Sequence, residues 1–277
     1  MPTTATLFLD CDDCIYQNDW ATAKKITLSI AAYAAKLGVG PEKAYALYKT
    51  HGTCLKGMLA ENIIKPEEAE NFLKTVHEID YSDIPADPLL VEILGRLTVP
   101  TWVFTASTSE HAQRCMTAVG LAELAEQRFK GIVDTRTCKL ETKHSPASFQ
   151  AAMAAAGTTD PASCTLCDDS VKNIVAAKKL GWRTVLVGLK DRDTGAPIDC
   201  PQADSMIPSL HHLPEVLPEL FGDADSTGAP DGESYPPELE QLVEMGFERE
   251  PARAAIAQAK GDVMAASTIL AALPPSA

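Results

Sequence analysis

Leu7-Phe8-Leu9-Asp10-Cys11-Asp12-Asp13 is a short apolar run that stops abruptly in carboxylates. Far downstream Cys164-Thr165-Leu166-Cys167-Asp168-Asp169 repeats the pattern. Each run has the length and composition of a buried strand. Carboxylates gathered at the ends of two buried strands repel one another unless a positive charge compensates them. Oxygen donors alone favour a hard cation such as Mg²⁺.

The runs between these two set the topology. After residues 6–10 the sequence reads as helix only: Lys24–Leu37 before Gly38, Pro41 toward Lys49, Pro66 toward Val76, and a fourth segment opened by Asp87-Pro88. Strand character returns at Thr101-Trp102-Val103-Phe104-Thr105. Helices follow at about Ser109–Val119 and Pro146–Ala156, then the 164–167 strand, a helix ending near Gly181, and a strand from Trp182 to Val187. Alternating strands and helices predict an α/β fold with a parallel, Rossmann-like sheet and a ligand site at the carboxyl ends of its strands. The division expected is a core of 1–15 and 98–222 with an inserted all-helical cap at 16–97. A polar, Gly-containing linker at 223–233 then leads to a small three-helix domain at 234–277.

Phosphoryl transfer suits this arrangement. Asp10 can serve as a carboxylate nucleophile. Asp12, two residues on, can act as acid and then base, and Thr105 with the Ala106 backbone can hold phosphoryl oxygens. Lys143 supplies a cation, and Asp168 and Asp169 complete a metal shell with Asp10 and Asp12. Any one of these residues alone reads as a turn, a cap or a solvated side chain. Their order, each at a strand-to-helix loop, carries the reading. Gly52 and Thr53 are specificity candidates in the cap, whereas His211-His212 reads as an exposed helix-end pair.

The Asp10-Cys11-Asp12, Val103-Phe104-Thr105, Lys143 and Asp168-Asp169-Ser170 segments resemble the four motifs of haloacid-dehalogenase-type phosphohydrolases, and the helical insertion resembles that superfamily's C1 cap. Asp10-Cys11-Asp12-Asp13-Cys14-Ile15-Tyr16, Leu47 to Thr53, Ala86-Asp87-Pro88 and Asp169 to Ile174 are more particularly similar to the pyrimidine 5′-nucleotidase branch. The resemblance implies an Mg²⁺-dependent hydrolase of nucleoside monophosphates. It places the ion on Asp10, the Asp12 carbonyl and Asp169, with Asp168 acting through a water. Ala106 stands where that branch usually has Asn, and His144-Ser145 separates Lys143 from Pro146. Residues from about Pro236 to Ala272 resemble a ubiquitin-associated domain, which implies ubiquitin or a ubiquitinated protein as partner through Met245, Gly246, Phe247 and Leu270, read as a partly exposed patch.

The net charge of −14 speaks against nucleic acid or an anionic membrane as partner. No secretory pattern is visible at the start, so the eight cysteines are expected as thiols in a reducing compartment, the cytoplasm or the nucleus. A zinc site built from the Cys11/Cys14 and Cys164/Cys167 pairs competes with that reading. Strand alternation argues against it, since it sends Cys164 and Cys167 to opposite faces.

Overall fold

The computed structural model describes residues 5–192, 194–222, 241–242, 251–252, 255–256, 259 and 262–271. The chain divides into two compact units, Met1–Gly222 and Asp223–Ala277.

Six strands form one parallel sheet in the first unit: β1 Thr6–Leu9, β2 Thr101–Phe104, β3 Phe129–Val133, β4 Cys164–Asp168, β5 Arg183–Val187 and β6 Ser205–Ile207. Their order, β3-β2-β1-β4-β5-β6, reverses direction between β1 and β4. Such a switch point leaves a crevice at the carboxyl ends of the two strands, because their connections depart to opposite sides.

Helices cover both faces, which is why the central strands β1 and β4 are buried at every position and largely apolar. The helices of the first unit used below are α1 Ala21–Lys36, α2 Pro41–His51, α3 Cys54–Ala60, α4 Ala69–Val76, α5 Pro88–Gly95, α6 Ser109–Val119, α7 Ala122–Arg128, α8 Pro146–Ala156 and α9 Val171–Lys179. Leu7 and Leu9 pack with Val103, Cys167 and Val185 beneath α5 and α6, whereas Phe8 turns to the other face with Phe104 and Leu166. On that second face Phe8, Phe104, Phe149 of α8 and Trp182 make an aromatic cluster, with centroids 4.8 Å apart for Phe8–Trp182 and 5.7 Å for Phe104–Phe149. Cys164 belongs to this face and Cys167 to the other, so alternation separates the two thiols as expected. Cys14 contacts the Cys167 carbonyl at 3.5 Å, and the four-cysteine zinc arrangement does not form.

The sequence reading missed β3 and β6. Both are edge strands with partial burial, and β6 is three residues long, so neither carries a continuous apolar signal. The cap boundary also needs correction. α1 to α4 share a core of their own, including Ala34, Leu47, Met58 and Phe72. α5, by contrast, buries Leu90 and Leu94 in the main core with Val103 and Leu213, so the expected cap of 16–97 runs past its true packing unit. His211 is half-buried and its Nε2 lies 3.1 Å from a carboxylate oxygen of Asp87, the α5 N-cap, contrary to its reading as an exposed histidine.

In the second unit a helix runs from Val263 to Ala271. Leu270 is buried with Leu242, Ala252, Ala255 and Ala266, so it is a core residue there and not part of an exposed patch. Met245, Gly246 and Phe247 lie outside the described residues, as does the expected 223–233 linker. No helix among the described residues is long and apolar enough to cross a membrane.

Gly57 of α3 sets how closely α2 and α3 approach. A Cβ there would fall 2.6 Å from Leu47 Cβ and 3.1 Å from its Cα, too near for any rotamer change to relieve. Gly57→Ala is therefore expected to destabilise the cap by about 1–3 kcal/mol, read as a lowered urea midpoint and faster amide exchange across residues 41–60.

Candidate active site

β1, β2 and β4 are neighbours, so the loops that follow them converge. Asp10 ends β1 and its N–H donates to the Cys167 carbonyl at 2.9 Å, continuing the β1–β4 ladder by one bond. Asp10, Asp168 and Asp169 bring carboxylate oxygens within 4.8 Å of one another. Lys143 enters from the loop before α8, whose start is fixed by the Ser145 N-cap and Pro146. Its ammonium lies 2.6 Å from Asp10 Oδ1 and 2.7 Å from Asp168 Oδ2, and donates to the Phe104 carbonyl at 2.8 Å. All three charged side chains are buried.

The charges do not balance. One ammonium faces three carboxylates, and burial pushes Asp10 up to about 8 despite Lys143, with Asp168 adding to the shift. Asp169 is driven well above the usual carboxylate range by burial, then by Asp168 and Asp10. Lys143 is held in its charged form, because Asp10 and Asp168 overcome the burial that would lower it. Asp168 is already engaged: Oδ1 accepts from Ser170 N–H at 2.9 Å and from Asn173 at 2.8 Å, while Oδ2 takes Lys143. Among the described residues Asp169 makes no hydrogen bond. A cluster of hard oxygen donors carrying surplus negative charge fits a divalent cation of the Mg²⁺ type, held by Asp10 and Asp169 with Asp168 behind them.

Asp12 faces a different environment. Its Oδ1 accepts from Tyr16 O–H at 2.6 Å and meets His111 Nε2 at 2.8 Å, and its Oδ2 accepts from Ser107 O–H at 3.3 Å. Burial opposes the Asp12 charge, but His111 and Tyr16 override it and hold the carboxyl at about 2. His111 in turn is raised to about 11, since the Asp12 charge outweighs the burial of the ring. The sequence reading did not find His111, Tyr16 or Ser107. Tyr16 and Ser107 flank motifs already singled out, but His111 sits on the first turn of α6 and nothing in its local sequence marks it.

Thr105 is buried at the end of β2, where its hydroxyl accepts from Ser107 N–H at 3.0 Å and keeps its own proton to donate. Ala106 beside it is exposed. Gly52 caps α2 with a φ of 84° and lies against Thr142: an added Cβ would stand 2.9 Å from the Thr142 methyl, one residue before Lys143. Thr53 uses its hydroxyl to cap α3, accepting from Lys56 N–H at 3.1 Å. The cap is further tied to the core by Lys56–Glu141 at 3.0 Å and Arg136–Glu70 at 2.6 Å.

A switch-point crevice with an Asp-x-Asp turn after β1, a lysine and a second acidic pair defines a hydrolase of the haloacid dehalogenase type. Residues 4–181 match the family model of haloacid dehalogenase-like hydrolases, and the chain belongs to that family. Residues 235–270 match the UBA/TS-N domain. Solved structures share the fold at low identity. CbbY from Rhodobacter sphaeroides, in complex with xylulose-(1,5)bisphosphate, has a TM-score of 0.55 and 17% identity over 76% of this chain and 96% of that one. The β-phosphoglucomutase of Clostridium difficile has a TM-score of 0.51 and 20% identity over 78% and 97%. The L-2-haloacid dehalogenase of Xanthobacter autotrophicus has a TM-score of 0.51 and 15% identity over 78% and 99%.

Removing Lys143 strands two buried carboxylates. Lys143→Met is expected to cost about 3–5 kcal/mol of stability, measured by urea unfolding at neutral pH. A loss below about 1 kcal/mol, the level of an exposed pair, would show the ion pairs to be solvated.

Proposed function

We propose that the first unit is an Mg²⁺-dependent phosphomonoester hydrolase acting on pyrimidine nucleoside 5′-monophosphates. The observation that carries this reading is the surplus of buried carboxylate around Lys143, a site built to receive a cation together with an anionic group. Bound Mg²⁺ would offset the repulsion between the Asp10 carboxylate and the phosphoryl oxygens.

Asp10 attacks phosphorus, and the ester P–O bond breaks as the aspartyl phosphate forms. Asp12, ionised beside the protonated His111, relays the proton of that pair to the departing alkoxide. It then takes one from a water that attacks the same phosphorus, releasing phosphate and restoring Asp10. Tyr16, Ser107 and His111 are positioning residues that fix the Asp12 carboxylate. Thr105 donates to a phosphoryl oxygen with the backbone at Ala106, and Lys143 holds the phosphoryl group and the nucleophile together. The preference for nucleotides rests on the resemblance of residues 47–53, with Gly52 and Thr53 as cap residues near the Lys143 loop. The compartment proposed is the cytoplasm.

Phosphate release from UMP and CMP is expected with Mg²⁺, to vanish with a chelator and return on adding Mg²⁺, and to fall by at least ~10³-fold in Asp10→Asn. Turnover confined to sugar phosphates would overturn the substrate. Equal inertness of wild type and Asp10→Asn across a broad phosphomonoester panel would favour a ubiquitin-binding adaptor with an inactive hydrolase fold.

The second unit is proposed to bind ubiquitin through Met245, Gly246 and Phe247, Leu270 being a core residue of that unit. Titration of the full chain with ubiquitin should show saturable binding that Met245→Ala weakens by roughly 1–2 kcal/mol, with phosphate release unchanged. Undiminished binding by Met245→Ala would remove that contact.

A further inference from the structure

A second cluster of metal-ligating atoms lies beside the active site, and the mechanism above uses only one of its members. Cys11 and Cys115 bring their thiols within 4.8 Å of each other and of an Asp12 carboxylate oxygen. His111 Nε2 lies 3.5 Å from Cys115 Sγ and 2.8 Å from Asp12 Oδ1. Two sulfurs and one carboxylate oxygen therefore lie together, and His111 Nε2 adjoins two of those three atoms, Cys115 Sγ and Asp12 Oδ1. Hard cations avoid such a set, whereas Zn²⁺ and its relatives seek it.

The dimensions agree. Metal–sulfur bonds of about 2.3 Å and metal–nitrogen bonds of about 2.0 Å give a tetrahedron with edges of roughly 3.3–3.8 Å. The Cys115–His111 separation of 3.5 Å falls in that range, the Asp12–His111 separation of 2.8 Å is shorter, and Cys11 stands within 4.8 Å of Cys115 and Asp12, so an ion requires Cys11 and His111 to draw in around it. The imidazole is also held in the orientation that a ligand needs. Tyr81 O–H donates to the His77 carbonyl at 3.0 Å, so Tyr81 Oη accepts from His111 Nδ1–H at 3.0 Å and leaves Nε2 facing the cluster. Cys11, Cys115 and His111 are fully buried, and Asp12, with 23% of its side chain exposed, is the point of entry.

We propose that Cys11, Cys115, His111 and Asp12 form a binding site for a soft divalent cation, Zn²⁺ by preference, and that filling it inhibits the hydrolase by taking the Asp12 carboxylate out of use. Metal–sulfur, metal–nitrogen and metal–oxygen bonds form while the thiol protons and the Nε2 proton leave to solvent. No electron is transferred. The binding half stands on this geometry alone, and the inhibitory half rests on the role proposed for Asp12.

The test uses the full chain under a thiol reductant, with Co²⁺ alone as the first probe. Roughly one equivalent per chain should raise tetrahedral d–d bands in the visible and a thiolate-to-cobalt band in the near ultraviolet, both lost when Zn²⁺ displaces Co²⁺. Cys115→Ser and Cys11→Ser should each weaken Zn²⁺ at least ~tenfold and reduce the thiolate band. Cys138→Ser, which removes a buried thiol elsewhere in the core, should leave both intact. Absence of a thiolate band in wild type, or its persistence in folded Cys115→Ser, overturns the site. In a second arm, Zn²⁺ at saturating Mg²⁺ should suppress phosphate release by wild type and spare Cys138→Ser no more than wild type, while Cys115→Ser resists. Binding without inhibition overturns the regulatory half. Failure of the chain to hydrolyse any phosphomonoester overturns the proposed activity and leaves the spectroscopic result to decide the metal site.

Discussion

The buried ammonium of Lys143, clamped between Asp10 and Asp168, is the contact on which the first unit depends. It joins the ends of two adjacent strands to a loop distant in sequence, and its third hydrogen bond, to the Phe104 carbonyl, ties in a third strand end. Ion pairs of this kind return little net stability, because desolvation consumes most of the Coulomb gain. What the pairs do supply is position: they hold the ends of β1 and β4 against the Lys143 loop. The Phe104 ring, 5.2 Å from the ammonium, adds a polarisable wall on the sheet side.

That clamp also explains why the site is electrostatically unfinished. Lys143 satisfies Asp10 and Asp168 geometrically but neutralises only part of their charge, and Asp169 adds more. A core stabilised for its own sake would carry fewer acids or a second base. The deficit is tolerable in a crevice that opens at a topological switch point, where a cation can arrive from solvent. The cap is tied to the core by separate pairs, Lys56–Glu141 and Arg136–Glu70, so its attachment does not draw on the Lys143 cluster.

Much of this was legible in the sequence because buried parallel strands are near-continuous apolar runs, and here two of them stop in carboxylates. β1, β2, β4 and β5 announced themselves, and so did α8, with Ser145-Pro146 at its start and Gly157 at its end. What stayed hidden depends on tertiary packing. β3 is half-exposed at an edge, β6 is too short to show a period, and α5 is apolar at most positions, so its sequence does not tell which core it joins. Leu270 gave no sign of which face it would turn inward. His111 was invisible for the same reason: its role comes from where α6 starts relative to β1, a fact of topology and not of local pattern.

Asp10 and Asp12 are two residues apart, yet one meets a lysine and the other a histidine. A regular strand would point both side chains to the same side, and a regular helix would carry them about 200° apart around its axis. The turn after β1 does neither. Asp12 keeps an extended backbone at φ −73°, ψ 130°, and Asp13 takes the left-handed region at φ 55°. Aspartate is among the few side chains that tolerate that region, so the third acid of the run has a conformational reason to be there. By turning the chain at Asp13, the loop lets Asp10 stay with β4 and Lys143 while Asp12 reaches Ser107 and His111 beyond β2. Asp13 bears a cost for this: burial first, then the neighbouring Asp12 charge, raise its carboxyl to about 7. Two carboxyls sharing one environment would be pushed toward the same protonation state, whereas here burial raises Asp10 while His111 and Tyr16 hold Asp12 low.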